Sequence, residues 1–178
     1  MKLSAELEKR IQECFIKANL TDIELKVSDE ERYEMCYSLD EHSIYYNVET
    51  LRNDLKEDFN DIDFEDYFII ILCHEIGHAL DENLEKNHMH STKLWDKIQQ
   101  NLFAKTNKKF LNDIKNNAIQ NEKNAWNKAA QIIDESMKMD FEKVMEKSLK
   151  DAIETANMEM ELMTLKIRNA ELEIKNLS

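Results

Sequence analysis

Phe64-Glu65-Asp66-Tyr67-Phe68-Ile69-Ile70-Ile71-Leu72-Cys73-His74-Glu75-Ile76-Gly77-His78-Ala79-Leu80 is the stretch on which the reading of the whole chain turns. Asp63 stands immediately before it as a suitable N-cap, and Glu65 and Asp66 are the acids favoured in a first turn, so a helix is predicted from Phe64 to about Leu80. His74 and His78, four residues apart, then project from one face and can reach a single metal ion. Imidazole nitrogens at that separation suit tetrahedral zinc. Glu75 projects about 100° further round, beside the ion rather than on it, where a carboxylate can take a proton from an activated water.

HExxH has only three fixed letters, so its surroundings must help to decide. Tyr67, Ile71, His74 and His78 follow steps of four, three and four, and the ligand face therefore continues an apolar stripe. Gly77 is the single glycine of the chain, and it lies between the two histidines, where a helix interior loses about 1 kcal/mol against alanine. Close approach of another backbone, or of a helix carrying a third ligand, would account for it. If His74 and His78 were merely core histidines, burying them beside a glutamate without a metal would require several compensating hydrogen bonds.

A catalytic zinc site needs a third protein ligand and an open position. It does not follow the HExxHxxGxxH pattern, because Asp81 and Leu84 occupy the glycine and third-histidine places. Glu122 is the leading candidate. Glu122, Ala125, Trp126, Ala129 and Ile133 share one helical face, and its alanines would permit close approach to Gly77 and Ala79. His88 and His90, read as lying on a loop after the motif helix, compete with it, and Asp81, one turn beyond His78, is a weaker alternative. His42, Tyr46, His88 or His90 could instead polarise a substrate carbonyl. Cys73 points about 100° away from His74 and reads as core.

Outward from the motif, Leu3 to Asn19 repeats apolar residues at helical spacing. Ile23 to Val48 alternates and is rich in aromatics, which predicts two or three short strands with turns at Ser28 to Glu31 and Ser38 to His42. A short helix follows near Glu49 to Phe59. Another is predicted from Ser91 to Lys105, and from about Lys109 to Ser178 the chain reads as helical with brief breaks. Ala156, Met160, Met163, Ile167, Ala170, Ile174 and Leu177 step by fours and threes, a heptad-like seam for a partner helix in this chain or a second copy. The fold class is therefore α+β, mainly helical, with a small N-terminal sheet on the motif helix. Residues 1–135 form the expected domain, and 136–178 a helical extension serving packing or oligomerisation.

With 178 residues the chain supports one ordinary core and an appendage. Its 37 acidic against 24 basic residues give a formal net charge of -13, which opposes nucleic acid and anionic membrane as partners. Lys105, Lys108 and Lys109 read as a solvated face. The N-terminal ten residues lack the apolar centre of a secretion signal, and Phe68 to Cys73, the longest apolar run, is too short to span a bilayer. The 3 cysteines, Cys14, Cys36 and Cys73, have no metal-knuckle spacing and fit a reducing cytoplasm. No proline and one glycine leave little turn punctuation, in keeping with a mainly helical chain. The 9 methionines read as adaptable packing residues rather than copper ligands.

Cys73 to Asp81, Cys-His-Glu-Ile-Gly-His-Ala-Leu-Asp, and Glu122 to Ala129, Glu-Lys-Asn-Ala-Trp-Asn-Lys-Ala, resemble the HExxH metallopeptidases of the gluzincin group, particularly the small intracellular ImmA/IrrE-like proteins of bacteria and mobile elements. The resemblance covers perhaps half the chain. It implies a minimal zincin-like domain with strands packed on the motif helix, zinc held by His74, His78 and Glu122, and Glu75 as general base. It also implies hydrolysis of peptide bonds in an intracellular protein. The interval from His78 to Glu122 is long for that family, and the C-terminal helix is not part of its shared core. A zinc-stabilised, non-catalytic interaction protein whose C-terminal helix binds a partner or a second copy is the alternative, and a metal-free helical adaptor is a third.

Overall fold

The computed structural model describes residues 3–29 and 33–177, with side chains up to Glu173. Among the described residues, six α-helices and three short strands follow the order α1 (Ala5–Ala18), β1 (Glu24–Val27), β2 (Met35–Ser38), β3 (Ser43–Tyr46), α2 (Val48–Asp58), α3 (Phe64–Ala79), α4 (Leu84–Gln100), α5 (Asn107–Ala129) and α6 (Lys138–Leu177), with a 3-10 turn at Glu135–Met137. The class is α+β and mainly helical, as the sequence predicts. Glu30 and Glu31, in the first expected turn, lie outside the described residues, as do the side chains of Ile174 and Leu177 in the C-terminal seam.

Two compact units divide the chain, one comprising residues 1–82 and 123–147, the other 83–122 and 148–178. The sequence reading places a single boundary between 135 and 136. In the structure the units are interleaved, because α5 and α6 each run through both of them.

In the first unit the sheet order is β1-β3-β2. β1 runs parallel to β3, Leu25 facing Ile44, and β2 antiparallel, Tyr37 facing Ile44. β2 is therefore an edge strand. α3 packs against β2, α1 and α2. It is buried without interruption from Tyr67 to Gly77, so the apolar stripe read from the sequence is one side of a helix enclosed all round. Each fully buried Phe or Ile side chain on it contributes about 1.5–3 kcal/mol. Its N-terminus is fixed as expected, Asp63 accepting from Glu65 N at 2.8 Å. α1 is capped at its start by Ser4, whose hydroxyl accepts from Leu7 N, and at its end by Asn19 in the left-handed region with φ 55°. Arg10 ties α1 to Asp66 at 2.6 Å.

In the second unit the structure departs from the sequence expectation. α4 begins at Leu84, not near Ser91, so His88 and His90 are exposed helix residues rather than loop ligands. Two residues apart on a helix, they point about 200° from one another. With neither glycine nor proline after Leu80, only a brief connection separates α3 from α4. Asn87 Nδ2 donates to Asn121 Oδ1 at 2.7 Å, and Lys115 Nζ to Asn157 Oδ1 at 3.3 Å, linking α4, α5 and α6 within this unit.

Candidate metal centre

The last two turns of α3 carry the candidate site. His74 and Glu75 are 7% exposed, and His78, near the helix end, is half-buried. One ligand atom from each of His74, Glu75 and His78 lies within 4.8 Å of the others. The imidazole rings are 4.6 Å apart, edge to face, and His74 Nε2 is 4.0 Å from Glu75 Oε1. The two imidazoles of this group could reach one small divalent cation such as zinc, with the Glu75 carboxylate next to them.

Glu75 is anchored from the sheet: the Tyr37 peptide N–H donates to its Oε2 at 2.7 Å. One carboxylate oxygen is thus held on the edge strand, while the other faces His74. The side of α3 bearing His74 is lined by α5, whose Trp126 stacks on the His74 ring at 4.2 Å and 25° and meets Phe141 edge-on at 5.5 Å. This stacking limits rotation of the imidazole. A Cβ placed on Gly77 would lie 2.1 Å from Ala125 O, so the glycine answers to a close crossing of the α5 backbone.

Glu122 is half-buried on α5, one turn before Trp126, and is not one of the three grouped residues. Asp81 is buried and accepts from Asn124 Nδ2 at 2.9 Å, which fastens the end of α3 to α5. His42, exposed and with φ 49°, contacts Tyr37 Oη at 2.7 Å and Asp22 Oδ2 at 3.2 Å. Tyr46 is buried against Phe68 with ring centroids 5.3 Å apart, a packing role. α5 stops at Ala129; Ile132 rather than Ile133 is buried in the turns beyond.

Two further groups brace the motif helix. Cys73, fully buried beside His74, donates from Sγ to Cys14 Sγ at 3.7 Å, and both are free thiols. That hydrogen bond holds the Cys14 thiol below its ordinary range and pushes Cys73 well above it. Two turns before the motif, Tyr67 Oη donates to Glu34 Oε2 at 2.6 Å. Burial pushes Glu34 up to about 7, with Asp54 and Glu75 adding negative charge nearby.

The stacking of Trp126 and the donation from Tyr37 were not anticipated in the sequence. Trp126 was visible only as a buried neighbour of Glu122, and a backbone N–H leaves no residue-type signal. Comparison of the chain with protein-family models, with curated proteins and with solved structures finds no match.

Proposed function

We propose that this chain is a zinc-dependent metallopeptidase, resembling the ImmA/IrrE-like gluzincins, that hydrolyses peptide bonds of an intracellular protein substrate. The observation that carries the reading is the convergence of His74, Glu75 and His78 within 4.8 Å on a buried helix. His74 and His78 would hold the ion, with Glu122 as the third protein ligand. Zinc, when bound, supplies Lewis-acid activation of water and of the scissile carbonyl. Glu75 takes the proton of the attacking water and delivers it to the leaving amine. The Tyr37 N–H keeps one Glu75 oxygen on the edge strand and so orients the carboxylate, and the Trp126 ring holds His74 in position. A cytoplasmic location belongs to this reading. Among the described residues, no helix is long and apolar enough to cross a membrane.

Elemental analysis of protein purified without added metal or a histidine tag tests it. About one zinc per chain is expected in the parent, with loss in both His78→Ala and Glu122→Ala. Retention in Glu122→Ala would move the third ligand elsewhere, and a parent that takes up no zinc even when supplied would end the enzyme reading. A second reading, a zinc-stabilised interaction protein, draws on an exposed apolar stripe at Met158, Leu162, Leu165 and Leu172 of α6. Glu75→Gln separates the two, since it removes peptide hydrolysis and leaves a non-catalytic interaction intact.

A further inference from the structure

The second half of α6 carries two apolar faces. Ala156, Met160, Met163, Ile167 and Ala170, the seam read from the sequence, are half-buried. Met158, Leu162, Leu165 and Leu172 are instead exposed, at 63%, 54%, 47% and 50%. At about 100° per residue, the exposed set is centred roughly 160° from the half-buried one. The helix thus packs within its own unit on one side and leaves a second apolar stripe open on the other.

That stripe has the spacing and chemistry of a two-stranded seam. Met158, Leu165 and Leu172 recur every seven residues at the d position, and Leu162 and Asn169 at the a position. Leucine at d with a single asparagine at a favours parallel dimers, because the asparagine amides meet across the axis and fix register. The flanking charges agree. In a parallel pair, Glu161 at g faces Lys166 at e of the other helix, and Arg168 at g faces Glu173 at e, each contact occurring twice by symmetry. All four side chains are exposed. Glu154 facing Glu159 is the one unfavourable pair. An antiparallel arrangement on the same layers sets Lys166 against its own copy, Glu159 against Glu173, and Asn169 against Leu165. Because α6 is a 40-residue helix already formed in the single chain, association need not meet the cost of nucleating it.

We infer that the chain forms a parallel homodimer through α6, a second copy covering Met158, Leu162, Leu165, Asn169 and Leu172. This interface is independent of whether the motif helix binds zinc.

Sedimentation equilibrium of the full chain in chelator, from about 0.3 to about 300 µM, tests the proposal. The parent should pass from 21.2 kDa to twice that mass with a Kd on the order of 10 µM. Leu165→Glu should remain monomeric with the parent's helical circular dichroism, whereas Met139→Glu, at an exposed methionine outside the stripe, should dimerise as the parent does. Lys166→Glu, a surface change that leaves the fold unchallenged, should weaken dimerisation about tenfold, and adding Glu161→Lys should restore it. A parent monomeric throughout the range would overturn the inference and leave the stripe to a helix of another protein. A dimer indifferent to Leu165→Glu would overturn the interface, and failure of the double charge reversal to restore affinity would overturn the parallel register.

Discussion

Alanine at position 77 would place its Cβ 2.1 Å from Ala125 O and 2.8 Å from Ala125 C, and because both are backbone atoms the two helices would have to separate. Helix propensity pulls the other way, since alanine in a helix interior gains about 1 kcal/mol over glycine. Overpacking costs about 1–3 kcal/mol and more where backbone must move, so Gly77→Ala should destabilise the protein by about 1–3 kcal/mol net, read as a lower urea midpoint. A raised midpoint would mean that the crossing is looser than described. Gly77 was legible in the sequence because its cost in a helix called for a reason, and Ala125, on the predicted face of α5, supplies it. Trp126 on His74 was less legible, because periodicity shows that a tryptophan is buried but not which ring it covers.

The edge strand β2 and the residue just before it are fastened to the motif helix at two points, by Tyr67 to Glu34 and by the Tyr37 N–H to Glu75, 2.6 and 2.7 Å long. The first fastening is a source of pH dependence. Glu34 is pushed up to about 7 from an ordinary 4.5, chiefly by burial, and Asp54 is raised by the same cause. Between those two values the folded chain binds more protons than the unfolded chain. The contribution is therefore complete below about 4.5 and lost as pH rises through about 7. Stability of the parent in chelator should fall by on the order of 1–3 kcal/mol between pH 5 and pH 8, and Glu34→Gln should flatten that slope. An unchanged slope in Glu34→Gln would assign the dependence to other groups. At this scale the motif helix, its Asp63 cap and the three strands were readable from capping and alternation. The start of α4 was not, because the N-cap Asn83 makes no side-chain capping bond to the first turn and the apolar period becomes clear only at Leu94. That is why His88 and His90 read as loop residues.

Across the whole molecule, helix-rich composition and the placement of the sheet were legible, whereas the interleaved units were not, since periodicity follows a helix such as α5 without revealing that it passes from one unit to another. The net charge of -13 adds a general repulsion that any divalent cation relieves weakly, and a bound ion must be told apart from that effect by its specificity. If zinc binds the folded chain through His74 and His78, it stabilises the fold by mass action, by about 2.7 kcal/mol at a free concentration 100 times Kd. For a chain of this size, about 2–4 °C of melting temperature accompanies each kcal/mol, so a rise of roughly 5–10 °C is expected with zinc and should be reversed by chelator. His78→Ala should lose the rise, whereas Glu75→Gln should keep it if Glu75 serves, as proposed, as the base beside the ion; loss in Glu75→Gln as well would make Glu75 a ligand. Magnesium at matched ionic strength should give little, since imidazole is a poor ligand for it. An equal rise with magnesium, or an equal rise in His78→Ala, would reduce the effect to charge screening and remove zinc from the account of this fold.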